Sequence, residues 1–341
     1  MKIVFFTISI FLAAFSLEVN GQSEKTNTQY KGGERIQKKD RYVSVGGGLT
    51  GAHYFGDLHL FSVANVFKFS RARPGIVLFG NLTHSRRFDY GVSLSWQRLF
   101  ADDFAYNDPL NSSEIANYTR NLSFRNDLII ASAYTRIKFI KKHFNYADRP
   151  DFTPYIKLGI ELMYSNPKSR IPEFRPDLSR FENGSDWTAL RPLGTEGQFV
   201  PELNISKYNP LQIAIPVGIG FILKINDRLN FSSDLNFHLL FTDYIDDVSG
   251  EYVDLGLLGD DLAITLSDRS AEVNATHVNQ PRNFEQILNF TNFKTYIGAD
   301  GRSYTVLDGF GEAGNKRGDN NNRDIMLSMA FKLSYILSQK K

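Results

Sequence analysis

From Leu327 to Leu337 every second residue is apolar: Leu327, Met329, Phe331, Leu333, Tyr335 and Leu337 alternate with Ser328, Ala330, Lys332 and Ser334, and only Ile336 departs from the pattern. A period of two sorts these residues onto opposite faces of a β-strand, whereas helical spacing would scatter them around a cylinder. The stretch from Leu229 to Leu239 repeats the pattern, with Leu229, Phe231, Leu235, Phe237 and Leu239 on one face. Asn230, Ser232, Asp234, Asn236 and His238 occupy the other, and only Ser233 interrupts the apolar row. A chain with such strands must supply a greasy environment on one side and a polar one on the other.

Six further segments meet the same criterion: Tyr42–Phe55, Gly75–Leu82, Phe88–Phe100, Leu122–Ile140, Thr153–Tyr164 and Leu211–Ile225. The total of eight is even. The connections span 56–74, 83–87, 101–121, 141–152, 165–210, 226–227 and 241–323, alternating long and short. Asn226-Asp227 comes close to a two-residue hairpin signal. Strands of a soluble sandwich average roughly 5–6 residues, while a tilted strand crossing a bilayer needs about 9–11. Several here sustain alternation for about ten or more, and long loops at one end with short turns at the other are the layout of outer-membrane barrels.

The expectation is an all-β fold, an eight-stranded antiparallel transmembrane β-barrel over residues 42–338 in the cell outer membrane, in contact with its lipid. The loops 56–74, 101–121, 165–210 and 241–323 are expected outside and the short turns in the periplasm. Eight strands leave an interior that side chains can fill, so Arg136, Lys138, Lys157 and Glu161, with Asp234, Asn236, His238 and Lys332, are expected to form a lumenal polar network. Tyr42, Tyr54, Trp96, Phe100, Tyr155, Tyr164 and Tyr335 lie near strand ends and are candidates for interfacial girdles. Residues 1–21 read as a secretory signal, with Lys2 before the apolar stretch Ile3–Leu17, and 22–41 as a flexible polar lead-in.

The chain has no cysteine, which excludes disulfides, thiol nucleophiles and thiolate metal sites. A net charge of +2 gives no reason to expect a nucleic-acid partner. Asp243, Asp246, Asp247 and Asp254 lack EF-hand order and read as a solvated loop at the rim. Residues 259–271, with Asp260 and Asp261 at the start, suit a short helix packed on the barrel mouth or a neighbouring loop. Gly46, Gly47 and Gly48 lie in a strand pattern, where glycine marks a bend or close approach. His238 near Asp243 and Asp246, and His53 near Asp57, are the raw material for a barrel enzyme, and Arg317-Gly318-Asp319 sits in a polar tract. No catalytic, cofactor-binding or metal-binding residue is assigned. The short turns are basic, carrying His84, Arg86 and Arg87, then Lys141, Lys142 and His143, with Lys224 and Arg228 flanking the third.

"GGLTGAHYFGDL" (47–58), "RNLSFRNDLI" (120–129), "TPYIKLGI" (153–160), "LRPLGTEGQ" (190–198), "FTDYIDDVSGEYVDL" (241–255) and "RDIMLSMAFKLSYIL" (323–337) together resemble the PorG-like outer-membrane proteins of Bacteroidota. The resemblance implies a non-enzymatic barrel associated with the type IX secretion system, contacting the periplasmic ring of PorK and PorN. A general surface barrel binding ligands through long loops, and a barrel enzyme, are the alternatives. The loops 165–210 and 241–323 are longer than the compact family pattern.

Overall fold

The structure, a computed structural model, describes residues 41–59, 71–139, 147–175, 179–320 and 323–337. The signal sequence, the lead-in up to residue 40, and Lys141, Lys142 and His143 lie outside the described residues.

Eight long strands form the wall: β1 (Tyr42–Phe55), β2 (Arg73–Thr83), β3 (Phe88–Asp102), β4 (Ser123–Lys138), β5 (Phe152–Tyr164), β8 (Leu211–Lys224), β9 (Leu229–Leu240) and β12 (Ile325–Leu337). Their ends fall within two residues of the alternation read from sequence. Each pairs antiparallel with its neighbours in the order β1, β2, β3, β4, β5, β8, β9, β12. The β1–β12 ladder, from Val43↔Leu337 to Phe55↔Ile325, then closes the sheet. Two short hairpins beyond the wall, β6 (Lys168–Arg170) with β7 (Trp187–Ala189) and β10 (Phe293–Ile297) with β11 (Ser303–Leu307), were not legible as strands.

The outward rows are bare. Leu49 is 69% exposed, Leu78 65% and Ile219 61%, in a wall whose other outward positions include Leu158, Ile160, Phe331 and Leu333. Water would not tolerate an apolar surface this continuous, and a closed sheet satisfies every ladder hydrogen bond internally, as lipid requires. The chain therefore spans a membrane as a barrel of the outer-membrane type. Among the described residues no helix is long and apolar enough to cross a membrane.

The inward rows fill the lumen. Ser132 Oγ donates to Glu161 Oε1 at 2.7 Å, and His238 links Glu161 Oε2 at 2.6 Å to Ser328 Oγ at 2.7 Å. Asp234 accepts from the Tyr155 hydroxyl and from Lys332 Nζ. Asp89 pairs with Lys138 at 2.6 Å and Arg136 at 3.6 Å, and the Lys157 ammonium sits 4.5 Å from the Tyr134 ring. All eight residues expected in the lumen are buried there. A cavity of about 40 Å³ lies among these side chains, room for a few waters rather than a channel. Two glycines make this filling possible: a Cβ on Gly46 would come within 2.7 Å of the Phe79 ring, and one on Gly48 within 2.7 Å of Lys332 Cγ.

The girdle expectation needs correction. Trp96, Tyr164 and Tyr335 belong to outward rows, but Tyr54, Phe100 and Tyr155 are buried, at 2%, 8% and 1% exposure. For Tyr54 and Tyr155 strand parity turns the ring inward, and Tyr42 shares the inward parity of Ser44 and Tyr54. Phe100 keeps outward parity but is covered, packing against Tyr106 and His277. Phe88, Tyr90 and Phe152 are outward aromatics at the opposite end.

Replacing Ile219, near the middle of β8, by Arg is expected to lower unfolding free energy in lipid by about 2–4 kcal/mol. Leu110→Arg, at an equally exposed loop position, is expected to stay within about 0.5 kcal/mol. Urea titration of the refolded barrel reads both, and equal effects would contradict a lipid-facing wall.

Candidate functional site

Above the wall the long connections fold onto one another. After β3 come two short helices, α1 (Asp103–Tyr106) and α2 (Ile115–Arg120), and between β9 and β12 two more, α3 (Asp261–Ser267) and α4 (Phe284–Phe290). Asp102 and Asp260 cap α1 and α3 by accepting from backbone N–H groups, as N-cap carboxylates do. Ala263, Ile264 and Leu266 of α3 are buried. Ile115 and Tyr118 of α2 share an apolar cluster with Tyr252, Ile287, Leu307 and Phe310. A second cluster joins wall to cap, with Tyr54, Phe124, Leu128 and Met163 against Ile245 and Val248.

The acidic stretch expected to be a solvated loop is instead the polar centre of this cap. Asp246 is 1% exposed and Asp247 0%. Asp247 accepts from the Thr195 and Tyr208 hydroxyls, both at 2.5 Å. Asp246 accepts from Val248 N at 3.0 Å and meets the Tyr54 hydroxyl at 2.5 Å, while Asp324 accepts from Ile245 N at 2.9 Å and lies 2.9 Å from the same hydroxyl. A phenol has one hydrogen. Both contacts are satisfied together when one carboxyl carries a proton and donates back to the phenol oxygen. Asp254 is half-buried and accepts from Gly256 N and Ala299 N, holding a turn.

Buried arginines tie the loops together. Arg317 donates to Glu196 Oε1 and the Asp247 carbonyl, each at 2.8 Å, and to the Ser267 carbonyl at 3.1 Å. The Arg317-Gly318-Asp319 tripeptide is thus a structural element with its arginine 2% exposed. Arg120 forks onto both oxygens of Asp103 at 2.8 Å and reaches the carbonyls of Asp57 and Arg317. Arg282 donates to the carbonyls of Ser270, Glu272, Tyr118 and Thr119. Arg120 and Glu196 fall in segments carrying the family resemblance, whereas Arg282 and Asp103 had no signal in the sequence.

Burial dominates the ionisation of this centre. It pushes Asp243 up to about 7 and Asp57 to about 6. Asp247 rises to about 6 by the same cause, with Arg317 opposing. Asp246 and Asp324 are driven well above the carboxylate range, by burial first and then by neighbouring aspartates. The histidines considered for catalysis are not brought to these acids: His238 is in the lumen with Glu161 and Ser328, and His53 stacks on Phe55 at 6.1 Å on the outward side of β1. Among the described residues no group of carboxylates and histidines has the geometry to hold a metal ion.

No family model matches the chain, and no curated protein matches its sequence. Several solved structures resemble it. Ail, the attachment invasion locus protein of Yersinia pestis, aligns over 87% of this chain and 99% of its own, at 7% identity and a TM-score of 0.35. Neisserial surface protein A aligns over 86% and 96%, at 7% identity and 0.34. A major outer membrane protein from Thermus thermophilus aligns over 86% and 99%, at 8% identity and 0.32. Likeness at this level carries nothing about activity, and the fold rests on the strand ladder itself.

The raised carboxyls fix a pH dependence. A folded pKa above the unfolded value means the docked cap binds more protons, so its stability is fully present below about pH 4 and falls as pH rises through 6–7. The chain has two tryptophans, Trp96 in the wall and Trp187 in the cap. In a Trp96→Phe background, the guanidinium midpoint for cap release read by Trp187 fluorescence is expected to drop between pH 4 and pH 7.5. Asp243→Asn should flatten that slope, and a rising or level midpoint would contradict the burial argument.

Proposed function

We propose that the chain is a non-enzymatic outer-membrane barrel that anchors a secretion assembly through its periplasmic end, the role implied by its resemblance to PorG-like proteins. The observation that carries this reading is a lumen filled by paired side chains beneath a cap locked by buried charge. A barrel sealed in both ways acts through its ends and not through its bore. At the turn end Arg87 is exposed and Arg86 half-exposed, next to His84. Lys224 pairs with the turn residue Asp227 at 3.1 Å, and Arg228 reaches the Tyr335 hydroxyl at 3.0 Å. A basic periplasmic surface suits an acidic partner, and a ring of PorK and PorN is the partner the resemblance names.

A second reading has its own observation. On the β10–β11 hairpin Phe293 and Ile297 are exposed, with Leu288 and Phe290 of α4 exposed nearby in sequence. Exposed apolar residues on the long loops favour a surface barrel that contacts a ligand there. Deleting residues 292–308 would abolish the phenotype on this reading and leave it intact on the first.

Charge reversal of Arg86 and Arg87, together with Lys141 and Lys142, is expected to cut recovery of ring components on copurification about tenfold, from lost pairs worth about 1 kcal/mol or less each plus repulsion. Unchanged recovery with normal barrel assembly would count against the anchor.

A further inference from the structure

At the cap end of β3 and β4 the outward rows change character abruptly. On β3 the sequence Val92, Leu94, Trp96 is followed by Arg98, and on β4 Ala131 and Ile129 give way to Asp127 and Arg125. The ladder sets Trp96 opposite Ile129 and Arg98 opposite Asp127, so the change occurs at one level on both strands. β6 extends the same face, pairing Lys168 with Arg125 and Arg170 with Trp187 of β7. One rung below, Ile129 pairs with Tyr164 of β5, which pairs with Leu211 of β8, so the exposed, uncharged rung runs on across those strands. The cations are thus gathered at the cap ends of β3 and β4 and on β6, immediately above the lipid-facing rows of those strands.

Four cations meet one acid here. Asp127 accepts from Arg98 Nε at 2.7 Å and lies 3.5 Å from Arg125 Nε. Among the described residues Lys168 and Arg170 have no carboxylate partner. The guanidiniums are held by aromatic rings: Arg98 5.3 Å from the Trp96 centroid, Arg125 4.3 Å and Arg170 5.5 Å from that of Trp187. Stacking fixes a guanidinium plane while leaving N–H groups free to donate. The excess of positive charge is felt next door, where burial and then Arg170, Arg73 and Arg125 push His277 down to about 4.

We propose that this patch binds the phosphate groups of the phosphorylated glycolipid in the outer leaflet of the outer membrane. The position is that of a headgroup, one residue pair above the last apolar rung, with Trp96 at the boundary as interfacial tryptophans are placed. The chemistry is that of a phosphate site, since planar guanidiniums recognise phosphate bidentately and a fixed fork loses little entropy on doing so. Soluble phosphate would meet the same groups from above. A headgroup is held there already by acyl chains packed on Leu94, Ile129 and their neighbours.

The test uses the folded barrel in detergent, titrated with diphosphorylated lipid A or its enzymatically dephosphorylated form and read by native mass spectrometry. The expected result is at least about tenfold preference for the phosphorylated lipid, as for one or more charge-assisted contacts. That preference should be lost in Arg98→Gln/Arg125→Gln/Arg170→Gln and kept in Arg87→Gln at the opposite end, with heat-dependent gel mobility reporting that each variant is folded. Lys168→Gln, a milder change, should reduce it partly. Equal binding of the two lipids by the unaltered protein would overturn the proposal whatever the variants do, as would retention of the preference in the folded triple variant. Displacement of the lipid by inorganic phosphate at matched phosphate concentration would show a free-anion site instead and would also overturn it.

Discussion

The ladder between β1 and β12 joins the first wall strand to the last, and everything else in the molecule presupposes it. With the sheet closed there is no edge, so backbone donors and acceptors along the wall pair strand to strand without water and the outward rows can meet lipid. Closure at eight strands also fixes the bore. The lumen is narrow enough for Glu161 on β5 to reach His238 on β9 past β8, while Lys332 pairs with Asp234 on the neighbouring strand, and Gly46 and Gly48 cede the room that Phe79 and Lys332 occupy. The polar core is therefore a consequence of strand number as much as of the residues themselves.

The same closure sets the stage for the cap. Tyr54 ends β1, Asp324 precedes β12 and Asp246 follows β9, so three strand ends bring one phenol and two carboxyls to a single point at the mouth. Burying carboxyls costs free energy unless they are hydrogen-bonded or paired. Here Ile245 N, Val248 N, Tyr208, Thr195 and the arginines supply those partners, and only the folded loops assemble them. Removing one partner would leave its mate stranded, which makes the cap cooperative. A barrel so closed offers its surfaces to other molecules: basic turns on one side of the membrane, an exposed hairpin on the other, and an arginine and tryptophan patch at the lipid boundary.

The wall was legible in the sequence because a period of two needs no knowledge of partners. Alternation located all eight strands and the lumenal residues, since parity alone decides which way Lys157 or His238 points. Parity also explains two of the misread aromatics: Tyr54 and Tyr155 were judged by nearness to strand ends, but they lie on inward rows. Phe100 escaped for another reason, because residues of distant loops cover it. The cap was not legible. Asp246 meets Tyr54 across 192 positions and Asp324 meets Tyr54 across 270, so no local pattern distinguishes these acids from a solvated run. The segments carrying the family resemblance did contain Tyr54, Asp57, Arg120, Glu196, Asp246 and Asp324, but as separate strings whose shared destination only folding reveals.

The long loops form one cap held to the wall by buried hydrogen bonds of Tyr54, Asp246 and Asp324. Residue-resolved hydrogen exchange of the intact barrel at pH 5 tests this most directly, through the amides of Ile245 and Val248, which donate to Asp324 and Asp246. Exchange as slow as that of the adjoining β9 and β12 amides is expected. Exchange at the rate of unstructured chain, with the strands still protected, would contradict it.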